Sequence, residues 1–105
     1  MTSILNKVLG ERGRAIFTIF KMYNNRYYFS VESEYFRNFF NYCRFYIWEE
    51  GYNPDHYDAK KDTVTTYYVE KDFNARSGKL YHIHVYIEQN DNKPIYIDEA
   101  IFYIP

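Results

Sequence analysis

Two histidines one residue apart, His82 and His84, stand in the strictly alternating stretch 79–89 (KLYHIHVYIEQ). In a strand, successive side chains point to opposite faces, so His82, His84 and Tyr86 share one face while Tyr81, Ile83, Val85 and Ile87 share the other. Imidazoles at i and i+2 on a common face can together ligate a divalent cation. The chain's third histidine, His56, lies in Asp55-His56-Tyr57-Asp58, which places carboxylate, imidazole and phenol side by side on an expected loop. Any further ligand for a metal at His82 and His84 has to come from His56, Asp55 or Asp58.

A His-hydrophobic-His strand resembles the metal motif of the rolling-circle initiator and relaxase endonucleases. The resemblance is carried by His82, Ile83 and His84. It implies an antiparallel sheet, a metal on the paired histidines and a helical tyrosine as nucleophile. In relaxases that tyrosine precedes the motif, as Tyr35, Tyr42 and Tyr46 do here. A small metal-dependent nuclease is therefore one functional reading.

A second constellation lies near the N-terminus. No acid occurs between Glu11 and Glu32, while Arg12, Arg14, Lys21 and Arg26 alternate with Tyr23, Tyr27, Tyr28 and Phe29. Cations that meet phosphate beside aromatics that stack on bases are the ingredients of a single-strand nucleic-acid binder. Arg14, Lys21, Tyr23, Arg26 and Tyr28 are its candidate contacts. Other chemistry is not encoded. The serines (Ser3, Ser30, Ser33, Ser77) stand in no nucleophile-elbow context, and the segment 10–14 has neither P-loop nor Rossmann spacing. No cofactor is expected.

The elements that must position these residues follow from periodicity. Thr2-Ser3 ahead of Ile4, Leu5, Val8 and Leu9, with Gly10 behind, suggests a short helix. Segments 14–23 and 26–31, rich in aromatic and β-branched residues and separated by Asn24-Asn25, read as a β-hairpin, because asparagine tolerates the positive φ of a tight turn. The first of these strands is apolar on both faces, which marks it as internal. Ser33 offers an N-cap, and Phe36, Phe39, Phe40, Cys43 and Ile47 recur at helical spacing, so the principal helix is expected over 34–50 and ends at Gly51. Arg37, Asn41, Arg44 and Trp48 form a second stripe on that helix. After a loop over 51–62 come three strands, 63–73, 79–89 and 95–104; the phase shift across Asp98-Glu99 in the last suggests a β-bulge. The expected architecture is one α+β domain over 1–105, a five-stranded antiparallel sheet with one long helix on a face.

The composition narrows the remaining choices. The 105 residues are the size of one domain, and 14 Tyr, 9 Phe and 1 Trp supply the bulk a small core needs. The net charge of −1 marks neither an obligate nucleic-acid binder nor an acidic mimic of DNA. One cysteine, Cys43, excludes an internal disulfide, and no apolar run reaches the length of a membrane span or signal core, so a cytoplasmic, non-membrane protein is expected. Heavy use of Phe, Tyr, Ile, Asn and Lys, whose codons are AT-rich, is common among short phage and mobile-element accessory proteins. The preferred reading is a non-enzymatic protein of that kind which binds and modulates a host protein, or pairs with itself. The expected contact residues are Arg37, Asn41, Arg44 and Trp48 on the helix, and His84 and Tyr86 on the open sheet face, because Trp, Tyr and Arg dominate binding hot spots.

Overall fold

The structure, a computed structural model, describes residues 2–6, 9–38, 42–72, 75–88 and 94–105. It contains eight strands: β1 (Thr2–Asn6), β2 (Ile16–Tyr23), β3 (Arg26–Glu32), β4 (Cys43–Glu49), β5 (Asp55–Lys61), β6 (Thr66–Asp72), β7 (Leu80–Ile87) and β8 (Ile95–Tyr103). All neighbouring pairs are antiparallel, in the order β1-β2-β3-β6-β5-β4-β7-β8. The sheet curls into a half-barrel whose inner faces meet one another: Phe29 on β3 lies 6.4 Å from Phe102 on β8, ring to ring. The expected α+β domain is thus corrected to an all-β one. Among the described residues the only helical element is one 3₁₀ turn, Glu34–Asn38.

The long helix over 34–50 is replaced for a physical reason. Cys43 and Ile47 are four apart, a spacing that returns to one face in a helix and, being even, to one face in a strand. In β4, Cys43, Phe45 and Ile47 are buried while Arg44, Tyr46 and Trp48 alternate outward. Aromatic and β-branched side chains favour that pleated setting, and the ring-lined circumference a helix would have had here is resolved by it. Ser33 does cap, accepting a hydrogen bond from Tyr35 N at 3.2 Å, but it starts only the 3₁₀ turn. That turn carries the chain from β3 past β6 and β5 to β4, and its Phe36 packs edge-on against Tyr67 at 4.8 Å. Phe39, Phe40 and Asn41 lie outside the described residues. The expected helix at the N-terminus is likewise strand β1, and most of the expected loop over 51–62 is strand β5.

Other expectations hold. The hairpin β2–β3 turns at Asn24 with φ of 48°, and β2 is internal, between β1 and β3. The last strand does change phase. Val85 pairs with Asp98 but Tyr86 with Tyr96, so Ile97 is the extra residue of a bulge, one step before the expected position.

That bulge turns Asp98 inward, where it is fully buried. Its carboxylate accepts hydrogen bonds from the backbone N–H of Arg12 (3.1 Å), Arg14 (3.0 Å), Ala15 (3.2 Å) and Glu99 (2.8 Å). A buried carboxylate is tolerated when several donors surround it, and here they fasten the segment ahead of β2 onto β8. Gly10 is required beside it, since a Cβ there would meet the Asp98 carboxylate and stand 2.7 Å from Ala15 O. On the inner face Phe17, Ile19, Phe29, Val31, Phe45, Ile83 and Val85 are essentially inaccessible, each contributing on the order of 1.5–3 kcal/mol by burial.

Candidate functional site

The outer face of β4, β7 and β8 gathers residues that the sequence had assigned to two different elements. Because β4 is a strand, Arg44, Tyr46 and Trp48 pair across to Tyr86, His84 and His82 of β7. The stripe of the expected helix and the histidine face are therefore one surface. Trp48 stacks on His82, with centroids 5.1 Å apart and planes 6° from parallel, and its edge meets His84 at 4.7 Å. Tyr46 packs edge-on against Tyr86 at 5.2 Å, and Tyr86 leans on Tyr96 of β8 at 5.3 Å. Arg12 caps the row, its guanidinium 4.7 Å above the Tyr96 ring. Ile101 and Tyr103 continue the face along β8, at 41% and 62% exposure. Tyr46, Trp48, His84 and Tyr86 line a shallow groove of about 300 Å³ with Pro54 and Pro94.

Neighbouring carboxylates hold the polar members in place. His84 Nε2 lies 2.9 Å from Glu99 Oε2, and His82 Nε2 lies 3.5 Å from Glu50 Oε1. Burial holds the His84 imidazole below its ordinary titration range, with His82 adding to the effect, while Glu99 opposes it. At neutral pH, His84 is therefore an uncharged aromatic surface with one polar edge. Arg44 is anchored by Asp58 at 2.8 Å and Glu88 at 3.1 Å. Burial and neighbouring Glu99 raise the Tyr96 phenol far above the usual tyrosine range, so it stays protonated.

Geometry separates the metal candidates. His56 of β5 is opposite Tyr46, and Tyr46 is opposite His84, so two strand spacings (about 9.6 Å) lie between the histidines' backbones. Trp48 lies against both His82 and His84, and each of those imidazoles already faces a carboxylate. No group of three His, Cys, Asp or Glu side chains converges as a metal set among the described residues. Of the tyrosines the relaxase resemblance singles out, Tyr46 is on strand β4, Tyr35 on the 3₁₀ turn and Tyr42 just ahead of β4, so none is on a long helix.

The hairpin candidates do not assemble. Arg26 is tied to Glu70 at 2.9 Å and Asp72 at 3.2 Å, and Tyr28 is stacked on Tyr68 at 5.2 Å. Strand alternation puts Lys21 in the phase of buried Phe17 and Ile19, opposite to Phe20, which faces outward beside Tyr28. Tyr23 is exposed at the turn. Arg14 is at the far end, sharing a groove of about 330 Å³ with Arg37 of the 3₁₀ turn. Arg37 thus stands apart from Arg44 and Trp48. Cys43 is buried, and burial raises its thiol well above the ordinary range.

Sequence reasoning missed Tyr46, Tyr96 and Ile101 as members of the face. The signal that could have found Tyr46 is the alternation Cys-Arg-Phe-Tyr-Ile-Trp itself, read with period two. No protein-family model, curated protein or solved structure matches this chain, so its function has to be argued from these residues.

Proposed function

We propose that this chain is a non-enzymatic binding protein that engages another protein through the outer face of β4, β7 and β8. The observation that carries the reading is the contiguous Trp48–His82–His84 stack, bordered by Tyr46, Tyr86 and Tyr96 and opening onto exposed Ile101 and Tyr103. Large amphipathic rings at the centre with ion-paired charges at the rim is the anatomy of protein interfaces. Exposed phenols such as that of Tyr103 offer polar edges that a partner can hydrogen-bond, while the ring faces exclude water. The AT-rich residue usage supports a phage or mobile-element accessory protein acting on a host protein in the host cytoplasm. Among the described residues no helix is long and apolar enough to cross a membrane. Self-association through the same face is the alternative use of one surface.

The test is comparative capture from a host lysate by the tagged chain, its Trp48→Ala and Ile101→Lys variants, and Tyr28→Ala as a control on the other outer face. A partner retained by the parent and Tyr28→Ala, and lost by the other two, supports the reading. Equal capture by all four overturns it. Trp48 is the only tryptophan, so its fluorescence gives an independent signal of contact at the face.

A further inference from the structure

The groove of about 300 Å³ on the outer face differs from three other cavities in what lines it. Its walls are the rings of Tyr46, Trp48, His84 and Tyr86, with Pro54 and Pro94 beside them. Among the described residues no lysine, arginine, aspartate or glutamate lines it. The cavities of about 510, 260 and 330 Å³ each carry both signs of charge. Cross-strand register builds the groove. Tyr46 of β4 is opposite His84 of β7, and Trp48 and Tyr86 lie diagonally on either side of that pair. Neighbouring rings meet at steep angles, 66° for Trp48 with His84 and 80° for Tyr46 with Tyr86. Rings set so steeply bound a volume with π surface on more than one side.

Electrostatics select the occupant. His84 spends its Nε2 on Glu99 at 2.9 Å, and burial keeps the ring uncharged at neutral pH. Around the rings Arg12 and Arg44 stand against Asp58, Glu88, Glu50 and Glu99, so the border is acidic. Aromatic walls inside an acidic border favour a cation. A bare ammonium would bring three N–H donors and a guanidinium five, with no carboxylate on the walls to accept them. A fully methylated ammonium brings none, and ring faces attract its positive methyl shell.

We propose that this groove is an aromatic cage for a trimethylated lysine side chain of the protein partner. The proposal rests on the interface reading above and names what that face recognises. The methylated ammonium sits among Tyr46, Trp48, His84 and Tyr86, and its four-carbon stem has proline to run along. A choline lipid carries the same headgroup chemistry, but an acidic border is repelled by the negative surface of a membrane. A side chain is therefore the source.

Trp48, the only tryptophan, reports on the groove directly. The test titrates the full chain with a capped trimethyl-lysine peptide and follows that fluorescence. Controls are the unmodified-lysine peptide and one with a neutral tert-butyl group in place of the trimethylammonium. The trimethyl-lysine peptide should bind about tenfold tighter than either control. Tyr46→Leu and Tyr86→Leu, which keep apolar volume and remove a ring, should each weaken it severalfold, while Tyr28→Ala should not. Equal binding of the three peptides, tighter binding of the unmodified one, or sedimentation of the chain with phosphatidylcholine vesicles overturns the proposal. Partner capture lost by Trp48→Ala and Ile101→Lys, in a chain with no trimethyl-lysine preference, overturns the cage alone and leaves the interface reading standing.

Discussion

The half-barrel has two parts of similar interior and different exterior. In β1, β2, β3 and β6 the outer aromatic Tyr28 stacks on Tyr68 and lies tilted against Phe20, and Arg26 beside them is neutralised by Glu70 and Asp72. In β5, β4, β7 and β8 the outer rings include three histidines and the only tryptophan, and they run out to exposed Ile101 and Tyr103. The first exterior pairs its central rings and charges within the sheet, leaving Ile16 and Tyr23 exposed at the ends of β2. The second leaves ring faces, a groove and titratable edges turned to solvent. A strand's inner phase is dictated by the core, so functional difference between two parts of one sheet accumulates in the outer phase.

The largest expected effect concerns what holds the two parts together. The β5–β6 seam is narrow, so the Asp98 clamp, together with contacts such as Phe29–Phe102, must carry much of the coupling. Asp98→Ala removes the acceptor for four backbone N–H groups, and a loss of about 3 kcal/mol or more is expected in chemical denaturation. Gly10→Ala should fail at the same place by steric conflict with that carboxylate. Unchanged stability in both variants would mean that the two parts are joined by apolar packing alone.

Next is the contrast between the exteriors. Trp48→Ala should weaken partner binding by about 2 kcal/mol, the scale of an interface hot spot, whereas Tyr28→Ala should leave it unchanged. Calorimetry with the captured partner measures both. Equal losses would dissolve the distinction between the two faces.

A smaller effect sets the faces apart by pH. His84 has a folded pKa below its unfolded value, so the unfolded chain binds the proton more readily. Its contribution to stability is complete above the ordinary histidine pKa, about 6.5, and is lost as pH falls through the lowered folded value. Stability should therefore decline on acidification through that window, and His84→Gln should flatten the decline, as read by denaturation midpoints across pH. The β2–β3–β6 face, without histidine, should show no matching change under Tyr28→Ala. The smallest effect is at Cys43: a thiol reagent should label it quickly in denaturant and barely in the native protein. Rapid native labelling would mean that β4 opens locally, weakening the claim that both interiors are equally closed.

What the sequence by itself determined is the local record of alternation and turns. His82, His84 and Tyr86 on one face, the Asn24 hairpin and the irregularity near Asp98 follow from period two and positive φ, whereas Cys43, expected on the buried face of a helix, is buried on a strand. The segment 43–49 shows the limit of such reading. A four-residue apolar spacing fits helix and strand alike, and only the neighbours on either side decide between them. Once β7 and β5 offer hydrogen-bonding edges, Cys43, Phe45 and Ile47 can all be buried at once while Arg44, Tyr46 and Trp48 turn outward. The tertiary structure alone decided that Trp48 meets His82 and His84 and that His56 is held away from them. Those relations are cross-strand registers between segments distant in the chain, and register is set by how the whole sheet shares its core.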